Sequence, residues 1–266
     1  MSRIPFSQVL KNASVDIRKE YDRLYTLFYL VKHKGLNLRT WCAIFFTQLP
    51  LHGRCISLDD FDSSNNIHFE KAPKDFDINY LIDFCEYSYN IANYEKSKFL
   101  GCSTKSYLEQ VEKVIEAVGY MAIQKDGVTD FVTKNQAAIS VAEIVEPNLS
   151  YKVIEYNHHS MMGKLDKKRD FLRAFAHELE PKQSSLEKIN KDLKNDLFFL
   201  FNNMDIRHNN SDSNNGKKYK EFVDNMNNKE LEDWYDYIYK MCLLAFLELE
   251  HLERKEQLEK LKEKSK

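Results

Sequence analysis

One run in the chain sets a fixed cation beside a group that titrates near neutrality: Arg207-His208-Asn209-Asn210. A guanidinium is always charged and forms forked hydrogen bonds with phosphate oxygens. An imidazole gives or takes a proton near pH 7. Asn209 and Asn210 add amide donors, Lys217 and Lys218 follow within the same polar stretch, and Trp234 brings an aromatic wall further on. Residue types in this order suit the recognition of a phosphate or nucleotide, with Arg207 and His208 as the reactive pair and the other five residues as binding groups. The same residues also suit a helix C-terminus, where Asn tolerates the left-handed conformation and cations meet the negative end of the helix dipole.

These residues depend on the segment before them. Leu186, Ile189, Leu193, Leu197, Leu200 and Met204 recur at steps of three or four, which predicts a helix with one face in the core. Continued by one turn, that stripe reaches Arg207 and His208 and aims both toward the core or a crevice beside it. A last helix is expected from Lys229 onward, with Leu231, Trp234, Ile238, Met241, Ala245, Leu249 and Leu252 as its stripe. If the two helices are antiparallel neighbours, Trp234, Tyr235 and Tyr237 lie beside Arg207. Residues 209–217, which have no apolar anchor, read as mobile or as an exposed rim.

Two long helices with an Arg at the end of the first, followed by a polar residue and an Asn/Asp/Ser-rich loop, resemble the HEPN superfamily over roughly Ser150–Leu252. Its signature is an Arg, usually followed by Asn, Asp or His, with a His four to six residues on. Arg207-His208 matches the first half, while Ser211, Asp212 and Ser213 stand where the His would be. The resemblance implies an all-α bundle acting on RNA or a nucleotide, as a metal-independent, cofactor-free ribonuclease of the phage-defence or toxin type or a catalytically degenerate relative. It also implies a homodimer whose paired sites share a cleft. The competing expectation is a non-enzymatic helical module that binds a protein partner.

The rest of the chain reads as mainly α. Helices are expected over 6–33, 38–48, 77–94, 103–118 and 135–145, and from 150 to 180 with a break at Met162-Gly163. Residues 49–74 read as irregular, and 218–226 as a short helix. One small β-hairpin is expected at 120–133, where two strands flank Asp126-Gly127, a tight-turn dipeptide. The fold expected is therefore a C-terminal helical bundle, 148–266, preceded by an N-terminal helical region, 1–147, with a boundary near 134 or 147.

Composition narrows the functions further. A net charge of -2 gives no global basic field of the sort that holds nucleic acid nonspecifically. The five Cys are scattered without a CxxC pair, which argues against a zinc site or a disulfide framework and for a reducing, cytoplasmic setting. The longest apolar run, Met241–Phe246, is far too short to span a bilayer. Adjacent His158 and His159 lack a third ligand at metal spacing, and Asp59, Asp60 and Asp62 lack the glycine of a calcium loop.

Overall fold

The computed structural model describes residues 15–49, 52–93 and 102–265. The start of the helix expected from residue 6 lies outside them. The chain divides into two compact units, Met1–Thr133 and Lys134–Lys266. Most of it is helical, with two small antiparallel ladders among the described residues.

In the first unit, α1 (Ile17–Tyr25) runs into a π-helical turn at Thr26–Leu30. Lys34-Gly35, just past the end expected for that helix, makes the turn of a two-residue ladder, β1 (Lys32–His33) with β2 (Leu36–Asn37). Both turn residues have positive φ, 52° and 88°, which matches the twist of a tight hairpin. The expected 38–48 helix is α2 (Leu38–Ala43) followed by a 3-10 turn at Phe46–Gln48. Within the stretch expected to be irregular, Leu58–Ser64 folds as α3. The Ser57 side chain accepts from Asp60 N, and Asp59 and Asp60 sit at the positive end of the helix. Asp59 and Asp62 each receive Arg39 at 2.6 Å, so this acidic cluster serves an internal ion pair.

The core of this unit is aromatic. Tyr21 and Leu24 of α1 and Phe28 of the π-helical turn meet Leu81, Phe84 and Cys85 of α4 (Ile78–Asn93) and Tyr107 and Val111 of α5 (Cys102–Ala117). Phe84 takes Tyr21 and Phe69 edge-on at 5.1 and 5.2 Å, a geometry that places ring edges against ring faces. The expected hairpin is β3 (Tyr120–Lys125) paired with β4 (Val128–Thr133), and Asp126 and Gly127 turn at positive φ. Side chains of α4 hold β4: Asn90 exchanges two bonds with the Thr129 backbone, and Glu86 Oε1 accepts from Phe131 N at 2.6 Å. That satisfies strand groups that would otherwise be an open edge.

The second unit begins at Lys134, the earlier of the two expected boundaries. The reason is that α6 (Gln136–Ala142) packs on α7 (Pro147–Glu155) and on the last helix, α12 (Asn228–Lys264). Gly163, at φ 70°, breaks the expected 150–180 helix, and α8 (Leu165–Leu179) follows. The long helix expected from Leu186 is two: α9 (Gln183–Ile189) stops at Asn190, whose side chain caps α10 (Lys191–Asn203). Glu221–Asp224 forms the short α11. α12 is the element against which α6, α8, α9 and α10 pack. Lys168, buried on α8, binds Glu232 at 2.8 Å and Asp236 at 2.7 Å on α12, and Tyr156, the residue that caps the end of α7, donates to Asp236 at 3.0 Å. Stripe residues Leu197, Ile238 and Ala245 are fully buried, as expected; Trp234 is not, and Tyr235 takes the core place beside it. No helix among the described residues is long and apolar enough to cross a membrane.

Candidate functional site: the loop after the tenth helix

The expected continuation of the stripe into Arg207 and His208 does not occur, because α10 ends at Asn203. Asp205 then adopts φ 62°, a left-handed conformation that Asp tolerates better than most residues, and the chain turns out of the helix. Ile206, fully buried, takes the core position assigned to Arg207. Arg207 N closes the turn by donating to Phe201 O at 3.0 Å.

Two buried polar residues build the loop that follows. The Asp205 carboxylate accepts from Arg169 Nη1 at 3.1 Å and from Ser211 N and Oγ at 2.9 Å each. Asn210, expected to bind substrate on an exposed rim, is completely buried. Its Oδ1 accepts from Asp205 N at 3.0 Å, its Nδ2 donates to Lys218 O at 2.6 Å, and its carbonyl accepts from Lys220 N at 2.8 Å. Both ends of 205–220 are thus tied to one residue. Asn209 and Lys217 are exposed, and the Asn209 side chain donates to Asp212 at 3.2 Å. The run is a fixed loop, and its polar composition serves its own backbone.

This loop positions the charged groups. Lys218 Nζ lies 3.1 Å from His208 Nδ1. Burial, then the charge of Lys218, then that of Arg207 lower the proton affinity of His208 below its ordinary value of 6.5. The neutral imidazole is therefore favoured. With its Nδ1 lone pair turned to the Lys218 ammonium, the tautomer that fits carries its proton on Nε2. Arg207 is largely covered, its side chain 18% exposed. Nη2 lies 3.4 Å from Glu180 Oε2 and 3.4 Å from Ala176 O, and the guanidinium carbon is 5.1 and 5.5 Å from the ring centroids of Phe198 and Phe201. Neighbouring Arg173 donates to Ile206 O at 2.6 Å and supports the same turn.

Trp234 stands apart from this group. It shares a shallow concavity with Glu230, Asp233 and Tyr237 on the first turns of α12. Sequence reasoning had no means to find Arg169 and Arg173, which stand more than thirty positions before the loop they hold. No protein-family model, no curated protein and no solved structure matches this chain, so its assignment rests on the geometry alone.

Proposed function

We propose that the second unit is a HEPN-like, RNA- or nucleotide-directed module in which Arg207, His208 and Lys218 receive a phosphate group, in a cytoplasmic phage-defence or toxin-type setting. The observation that carries this reading is the crowding of three cationic or potentially cationic groups on one short, fixed loop, in a chain of net charge -2. Lys218 and Arg207 both disfavour a proton on His208. An anion seated among them would relieve that mutual repulsion. The neutral imidazole presents Nε2–H, the form that donates a hydrogen bond to a phosphate oxygen, while Arg207 offsets charge on a phosphorane-like transition state. As a ribonuclease the site would be metal-independent and cofactor-free, and a second copy of the chain would bring a second Arg207–His208 pair.

A second reading, a non-enzymatic module for a protein partner, is favoured by what holds Arg207. The Glu180 carboxylate, the Ala176 carbonyl and two phenylalanine rings already surround its guanidinium. On that reading Arg207 pins the turn to α8 and binds nothing else.

Melting curves and RNA binding and cleavage assays on wild type, Arg207→Ala, His208→Ala and Lys218→Ala separate the two. The phosphate reading expects all three variants to lose binding or cleavage while remaining folded. Unchanged RNA behaviour in all three, with a large loss of stability only in Arg207→Ala, would establish the structural pin instead.

A further inference from the structure

The first two turns of α12 carry the second built feature of this unit, and its chemistry is opposite to that of the loop. Trp234 and Tyr237, 41% and 52% exposed, pack edge-to-face with ring centroids 5.9 Å apart. Together with Glu230 and Asp233 they line an open concavity of about 420 Å³. Two large aromatic side chains on one exposed face lie in contact with water at a cost that a core position would have avoided.

Two properties decide what fits there. The helix start offers little to an anion. Asn227 Oδ1 already receives Lys229 N and Glu230 N, and Glu230 Oε2 receives Asn227 N, so a reciprocal cap holds these amides. Carboxylates at 230 and 233 then set a negative potential over the aromatic faces, which repels phosphate and favours a cation. No cationic side chain lies over either ring among the described residues. Aromatic faces attract cations through their quadrupole, and arginine adds planar stacking and a fork that matches a carboxylate.

We propose that Trp234, Tyr237 and Asp233 form a docking site for an arginine-bearing segment of a partner protein, distinct from the phosphate-directed loop. The contact between the two rings restrains both before binding, which lowers the ordering cost of association. The site belongs to exposed groups on a well-formed helix, so its removal leaves the fold intact.

A fluorescently labelled nona-arginine peptide serves as the probe, with anisotropy read at fixed ionic strength. Trp234→Ala and Asp233→Lys are each expected to weaken binding by about two- to fivefold, the size of one solvent-exposed cation–π or charge contact. Arg207→Ala should leave it unchanged, which separates this site from the proposed function. Trp234→Ala and Asp233→Lys should both melt cooperatively as folded proteins, with a smaller loss of stability than a core truncation causes. Equal affinity of wild type and both variants would place the peptide on other acidic surface and overturn the proposal. So would equal binding of a nona-glutamate peptide.

Discussion

Asp205 and Arg169 meet at 3.1 Å, and through that pair α8 fixes the residue at which the chain leaves α10. The carboxylate is nearly buried and also receives two bonds from Ser211, so one side chain anchors the helix exit and the start of the loop together. Arg169 keeps a second partner, Asp166 at 2.6 Å, and three quarters of its side chain is covered.

Removing the Asp205 carboxylate should therefore destabilise the unit. Asp205→Ala leaves Arg169 and the Ser211 groups with lost partners and puts alanine, which tolerates the left-handed region less well than Asp, at φ 62°. The expected cost is about 2–4 kcal/mol, below the full figure for a buried pair because Arg169 retains Asp166. Asp205→Asn tolerates the same backbone conformation and keeps one acceptor, so it should cost clearly less. Urea titrations of the two variants give the comparison. Equal midpoints for wild type and Asp205→Ala would show that the loop does not depend on this residue.

The proton affinity of His208 gives a prediction with a sign. Burial, Lys218 and Arg207 hold it below the ordinary 6.5 in the folded chain. Between the folded value and 6.5 the unfolded chain binds more protons, so stability rises with pH through that window and falls as the pH drops below 6.5. Lys218→Ala removes one of the lowering charges and should shift the His208 midpoint upward. Titration of the imidazole Cε1 proton by NMR in wild type and Lys218→Ala reads this directly. A midpoint that stays in place would show that Lys218 and His208 do not face each other in solution.

Leu197 and Trp234 test which faces of α10 and α12 form the core. Leu197 is fully buried, and Leu197→Ala should cost about 2–5 kcal/mol, as other buried leucine truncations do. Trp234, at 41% exposure, should cost much less despite its size. Thermal melts of the two single variants decide it, and a larger loss for Trp234→Ala would reverse the face assignment.

The same pair shows what was legible in the sequence. Period alone placed Leu193, Leu197, Leu200, Ile238 and Ala245 inside, because burial on a helix follows its 3.6-residue repeat. It failed at Trp234, where an aromatic occupies a stripe position one residue before Tyr235 and the two compete for the core. It failed again at Arg207, because the repeat predicts facing only while the helix continues. Asn202, Asn203 and Asp205 before Ile206 were the available signal that it stops. The hairpin was legible through Asp126-Gly127, whereas Lys34-Gly35 makes an equally tight turn in strands too short to leave a pattern. The internal loop bonds of Asp205 and Asn210 were not legible, since polar residues that satisfy backbone groups read like solvent-exposed ones in composition.

Glu180 gives the sharpest test of what Arg207 is for. Its carboxylate lies 3.4 Å from Arg207 Nη2, and 56% of the Glu180 side chain is exposed, so the pair sits at the surface end of the guanidinium. An exposed ion pair of this kind contributes about 0–1 kcal/mol, and Glu180→Gln should barely move the melting temperature. On the phosphate reading, the substitution removes a carboxylate that competes with the incoming anion. Affinity for a short RNA or for inorganic phosphate should then rise, and the rise should vanish in the Glu180→Gln, Arg207→Ala double variant. On the structural reading the guanidinium stays with Ala176 O and the rings of Phe198 and Phe201, and no anion affinity appears in either variant. Isothermal titration of wild type, the single variants and the double variant with phosphate and a short RNA separates these outcomes. An increase on Glu180→Gln that persists without Arg207 would assign the anion to Lys218 and its neighbours and remove Arg207 from the site.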